Sequence, residues 1–97
     1  MEIKSLDDFK KSLKDDSPSA ALSVYVKALW WAGKGDWDRA HDLIQDVNDR
    51  KASQIHAYLH RVEGDISNAN YWYTKTGGQT PTYSLEEEWA DLVRMHL

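Results

Sequence analysis

Two segments of the chain repeat one another at an offset of 29 residues, and that repetition restricts the fold more than any other feature. Leu29 to Ile44 reads LWWAGKGDWDRAHDLI, and Tyr58 to Tyr73 reads YLHRVEGDISNANYWY. Aligned, they share Gly35/Gly64, Asp36/Asp65 and Ala40/Ala69, with bulky apolar or aromatic side chains at Trp37/Ile66, Leu43/Trp72 and Ile44/Tyr73. A glycine ends a helix and an aspartate caps the next one. Each segment therefore encodes two helices joined by a tight turn, and repetition of that unit is what stacked helical hairpins leave in a sequence.

Apolar residues at helical spacing extend the pattern on both sides. Ser5, with Asp8 three residues on, predicts a first helix over about 5–15 with Leu6, Phe9 and Leu13 inward. Ser17-Pro18 predicts the start of a second helix that runs to Ala32, because proline at the first helical position gives up no hydrogen bond. Leu22, Val24, Tyr25, Val26, Leu29, Trp30 and Trp31 cover more than half its girth, so it needs neighbours on two sides. Asp36 opens a third helix with Trp37, Ala40, Leu43, Ile44 and Val47 as its stripe. A fourth starts near Asp49 and ends near Glu63, with Ala52, Ile55, Leu59 and Val62 on one side. Asp65 opens a fifth, carrying Ile66, Ala69, Trp72 and Tyr73, which stops before Gly77-Gly78. Ser84 and Glu87 form a capping box for a sixth, whose Leu85, Trp89, Leu92 and Val93 point inward. No stretch alternates with period two. The expected fold is all-α: one domain of about six helices, with antiparallel hairpins over about 20–48 and 49–82 and flanking helices over about 5–15 and 84–96.

Composition bounds the function classes. A chain of 97 residues builds one modest core, and five Trp and five Tyr make much of that core aromatic. The net charge of −4 is spread along the chain with no basic stripe, which argues against a nucleic-acid partner. With no cysteine there is neither a disulfide framework nor a thiolate metal site. No apolar run approaches the roughly 20 residues that span a bilayer, and the opening MEIKSLDDFKKSL lacks the apolar centre of a signal peptide. A cytoplasmic protein without a membrane partner is expected.

The G-D-W-D-R-A and G-D-I-S-N-A segments resemble the turn and second-helix start of a tetratricopeptide repeat. Gly35, Trp37 and Ala40 fit that motif, as do Gly64, Ile66, Ala69 and Tyr73; Trp31 takes a first-helix aromatic position, and Pro81 falls where proline often follows the second helix. Lys27-Ala28 and His56-Ala57 stand where the motif has Leu-Gly, and the offset of 29 is below the motif's usual ~34. The chain also resembles small bacterial proteins built on this pattern. The resemblance implies a concave face made by the first helix of each pair, lined by Leu22, Tyr25, Leu29, Lys51, Gln54, Tyr58 and Arg61. It implies a peptide or protein partner in that groove, with Tyr25, Lys51, Gln54, Tyr58 and Arg61 as binding residues. On this basis the chain is expected to be a binding module without catalysis or cofactor. Self-association through its aromatic surface is a further expectation.

A second set of residues points elsewhere. His56, His60 and Glu63 are spaced i, i+4, i+7 and so lie along one side of a helix; His41 and Asn70 belong to the adjoining helices. Two histidines four apart, a carboxylate and a further histidine are a plausible zinc set, but Ala57 stands where the zinc-protease signature requires glutamate. Structural use is the simpler expectation: His56 and His60 fill the seam against the fifth helix and hydrogen-bond to a neighbouring side chain or carbonyl, with His41, Glu63 and Asn70 as candidates to complete a polar network. A small-ligand or metal site, with or without catalysis, is the alternative. Gly35-Asp36 and Gly64-Asp65 lack the spacing of a phosphate or calcium loop and act as helix punctuation. Glu86, Glu87 and Glu88 read as a solvated first turn favoured by the helix dipole.

Overall fold

Among the described residues, every helix begins at a residue whose side chain caps it. In a computed structural model, which describes residues 5–97, these are α1 (Leu6–Ser12), α2 (Val24–Gly33), α3 (Trp37–Ile44), α4 (Arg50–Val62), α5 (Ile66–Lys75) and α6 (Leu85–His96). Residues 1–4, on which part of the signal-peptide reading rests, lie outside the described residues. Ser5, Ser23, Asp36, Asp49, Asp65 and Ser84 each accept a hydrogen bond from the amide three residues on. Loss of one such cap typically costs about 1 kcal/mol. Among the described residues there is no strand, so the chain is all-α.

The second helix starts later than the Ser17-Pro18 pair predicts. Ser23, not Ser17, is its cap, at 3.3 Å from the Val26 amide. The intervening SPSAAL run offers local side-chain bonds that compete with helix, such as Ser19 Oγ accepting from the Ala21 amide. Lys34 pins the start of this linker by donating to the carbonyls of Leu13 and Asp15 at 2.6 and 2.8 Å.

The repeated Gly-Asp pairs make the same turn twice. Gly35 and Gly64 sit at φ +83° and +86°, a region that L side chains avoid. In the first turn the Gly35 amide donates to Ala32 and the Asp36 amide to Trp31; in the second, Gly64 donates to Arg61 and Asp65 to His60. This pairing satisfies the last carbonyls of α2 and α4. The aspartate then caps the following helix, so three residues separate helices that must fold back on each other.

α2 packs on α3, α4 on α5, and α3 on α4, which sets the two hairpins side by side. α6 returns along α2 and α4, and α1 lies against α6. Phe9, Leu29, Trp30, Ile44, Ile55, Leu59 and Val93 are fully buried in the main core. Each large side chain so buried contributes roughly 1.5–3 kcal/mol of transfer free energy. A smaller cluster of Ala57, Ala69 and Tyr73 joins α4 to α5, where the two alanines admit the tyrosine ring. Ile66 and Leu85, expected inside, are 49% and 38% exposed, because each begins its helix at the rim of the core. No helix among the described residues is long and apolar enough to cross a membrane.

Candidate functional site

The Asp36 cap fixes the register of α3 so that Trp37 and His41, one turn apart, face α4. The Asp49 cap does the same for α4, placing His56 and His60 on the side that meets both α3 and α5. Three imidazoles from the two hairpins converge there. Nε2 of His41 lies 3.0 Å from Nε2 of His56. The ring centroids of His41 and His60 are 5.4 Å apart, and those of His56 and His60 are 4.7 Å apart and stacked. One ring nitrogen from each of the three falls within 4.8 Å of the others.

Two indoles box the cluster. Trp37 stacks on His41 at 4.6 Å, with an interplanar angle of 11°, and Trp72 stacks on His56 at 4.0 Å and 18°. Trp37 is itself fixed by a 2.6 Å bond from its Nε1 to the carbonyl of Leu59. On the outer side, His60 Nδ1 is 2.6 Å from Oε1 of Glu63. A carboxylate only accepts, so Nδ1 of His60 carries the proton; in the neutral ring, Nε2 keeps its lone pair for the cluster.

Burial decides the charge state of the inner rings. His56 is 7% exposed, and its pKa is pushed down to about 4, by burial first and then by His60, His41 and Lys75. His41, half-buried, is also lowered, by burial and then by His60. At neutral pH these two rings are uncharged, and each has one nitrogen free to act as an electron-pair donor. The cluster can share a proton, accept a hydrogen bond or ligate a Lewis acid.

Of the residues assigned to a polar cluster from sequence, His41, His56, His60 and Glu63 come together and Asn70 does not. Asn70 is exposed on α5 and accepts from the Thr80 hydroxyl. The register that turns Ala69 and Tyr73 toward α4 rotates Asn70 away, and Trp72 takes the place beside His56. Trp37 and Trp72 were missing from the sequence-derived set. The i, i+4 spacing of Trp37 and His41 was the available signal for the first; for Trp72 there was none without the register of α5.

Of the residues assigned to a peptide groove, Arg61 and Tyr25 contact α6 and Tyr58 is buried, while Lys51 is exposed. Tyr58 is 6% exposed. Arg61 Nη1 donates to Glu88 Oε1 at 2.9 Å, and its Nη2 to the Tyr83 carbonyl. Tyr25 lies against His96, donates to Asp49 and sits under the Lys51 ammonium. Gln54 remains half-buried. Trp89 of α6 donates to the Leu29 carbonyl at 2.8 Å, closing the cover over α2. Glu88 is therefore no member of a solvated acidic turn. It is 4% exposed and accepts from both Arg61 and the Tyr73 hydroxyl, the latter at 2.6 Å. Burial, reinforced by Glu88, raises the Tyr58 hydroxyl to about 12 and drives Tyr73 further the same way. Arg61, Glu88 and Tyr73 form a hydrogen-bonded tie between α4, α5 and α6, with the Glu88 carboxylate buried at its centre.

A cleft of about 600 Å³ elsewhere, along α1 and the following linker, is lined by Asp8, Lys11, Ser12, Lys14, Asp15 and Ser17 among others. Compared with protein-family models, with curated proteins and with solved structures, the chain matches none.

Proposed function

We propose that the protein is a small-ligand-binding helical domain whose site is the imidazole cluster at the junction of its hairpins. One observation carries this. Three histidines from two hairpins point ring nitrogens at one another between two stacked indoles, with ligand atoms within 4.8 Å. Polar side chains placed in a seam merely to fill it are a poor economy, since an apolar residue of similar volume packs there without any need for a partner. Neutral imidazoles at this spacing suit an electron-pair acceptor small enough to enter between them. The alternative peptide groove on α2 and α4 is disfavoured because α6 occupies that face. The kinship with tetratricopeptide hairpins remains a proposal about architecture, supported by the Gly-Asp-aromatic-Ala spacing.

The test is a titration of the full chain with a panel of small ligands, following the histidine ring and tryptophan indole resonances. Binders are expected to move His41, His56, His60, Trp37 and Trp72 first. A binder that instead perturbs Tyr25, Tyr58 and Arg61 while the imidazoles stay still contradicts the assignment.

A further inference from the structure

Resting on the assignment of the histidine cluster as a ligand site, we propose that its ligand is a first-row transition-metal dication of the zinc type, held by Nε2 of His41, His56 and His60, with Glu63 as the positioning residue behind His60. Zinc bound to imidazole takes Zn–N distances of about 2.0–2.1 Å, which puts the nitrogens of a tetrahedral site about 3.3 Å apart. The His41 and His56 nitrogens are already 3.0 Å apart, and all three fall within 4.8 Å. Shifts on the order of 1 Å close the set around an ion at that bond length. An all-imidazole set selects against magnesium and calcium, which prefer oxygen.

Glu63 completes the argument. A metal-bound histidine usually donates its remaining N–H to a carboxylate, which fixes the ring and strengthens the ligand. The 2.6 Å contact from His60 Nδ1 to Glu63 has that form, and it leaves Nε2 as the free donor atom of a ring whose centroid lies 5.4 Å from that of His41 and 4.7 Å from that of His56. Proton balance is simple. One proton bridges the His41 and His56 nitrogens in the free protein. On binding, the ring that carries it passes to the tautomer protonated at Nδ1, so freeing that nitrogen for the ion releases no proton. The bound ion ties α3 to α4 and thereby one hairpin to the other.

A second set of donors is adjacent: His60, Glu63 and Asp65 also lie within ligating distance of one another. There the ion would take Nδ1 of His60, and Glu63 would be a ligand. Asp65 already caps α5 through the Asn68 amide, and both carboxylates are exposed, so this set is the weaker one. The experiment separates the two.

Zinc chloride is titrated into the full chain by calorimetry and by ring-resolved NMR, with magnesium chloride as the control. One zinc ion per chain is expected, shifting the rings of His41, His56 and His60 and the indole resonances of Trp37 and Trp72, with no response to magnesium. His41→Ala should weaken zinc binding at least 100-fold. Glu63→Gln, at a partly exposed position that tolerates change, should weaken it 10–100-fold. Asp65→Asn should leave it unchanged. Each variant's amide spectrum reports whether it folds, and the wild-type stoichiometry and ring shifts decide the matter if His41→Ala does not. No zinc response, or loss of binding in Asp65→Asn with His41→Ala unaffected, overturns the metal assignment. If zinc is silent while another small ligand moves the same three rings, only the metal identity falls. If no ligand moves them, the site assignment falls with it.

Discussion

The Nε2 atoms of His41 and His56, contributed by different hairpins, lie 3.0 Å apart and share one proton. That bond needs one of the two Nε2 atoms to be unprotonated, since two imidazolium groups would each present a donor to the other. Its consequence is a direction of pH dependence. The pKa of His56 is lowered from 6.5 to about 4 in the native protein, and that of His41 is lowered too. Between those values the unfolded chain binds protons that the folded chain does not, so stability falls as pH drops. The contribution is fully present above about pH 6.5 and diminishes as the pH falls toward about 4. Urea unfolding at pH 7.0 and pH 5.0, within that window, should give a lower midpoint at the acidic value, and His56→Gln should reduce the difference. Equal midpoints in the wild type would contradict a buried neutral pair.

Replacing His60 by phenylalanine removes the donor to Glu63 and puts a larger ring into a packed seam. A stability loss of about 1–3 kcal/mol is expected from overpacking, with a smaller part from the bond to Glu63, whose carboxylate is partly solvated. Unchanged thermal unfolding would mean that the ring has no role in joining α4 to its neighbours.

Glu88 ties three helices through one carboxylate. Glu88→Ala leaves the half-buried Arg61 without its anion and the Tyr73 hydroxyl without an acceptor. Breaking a buried pair from one side costs about 3–5 kcal/mol, whereas Glu88→Gln, which keeps an acceptor, should cost less. Guanidinium denaturation of the two variants gives the comparison. Equal and small losses would place Glu88 in solvent after all.

The two turns can be compared residue for residue. A Cβ added at Gly35 or Gly64 meets no atom within 4 Å, so alanine there feels only the positive φ. Each substitution should destabilise by about 1–2 kcal/mol, and by similar amounts. Gly33→Ala acts differently, because its Cβ would lie 2.9 Å from the Trp89 ring. Denaturation midpoints that differ widely between Gly35→Ala and Gly64→Ala would show that the turns are not equivalent.

Helix identity was legible because it is local. Ser5, Asp36, Asp49, Asp65 and Ser84 announce helix starts, and glycine announces the ends, without reference to anything distant. Ser17-Pro18 misled because the same serines that cap a helix also make competing local turns, and because Lys34, at the far end of α2, holds the start of the linker through the Leu13 and Asp15 carbonyls, a contact that sequence spacing does not reveal. The imidazole cluster was half legible. Spacing along α4 put His56 and His60 on one side, but the partners come from the rotation of α3 and α5, which sequence spacing alone leaves undefined. Asn70 was included and Trp72 omitted for that reason. The placement of α6 was not legible at all. Glu88 looks like its neighbours Glu86 and Glu87 in sequence, and only the return of α6 over α4 brings it to Arg61 and Tyr73.

The central claim is that three imidazoles form one site for one ion. Anomalous diffraction at the zinc edge, from crystals of the full chain grown with one equivalent of zinc, tests it most directly. The expected map has a single peak at about 2.0–2.1 Å from nitrogens of His41, His56 and His60. A map with zinc only at His60, Glu63 and Asp65, or with the three imidazoles bare in the presence of the ion, would contradict it.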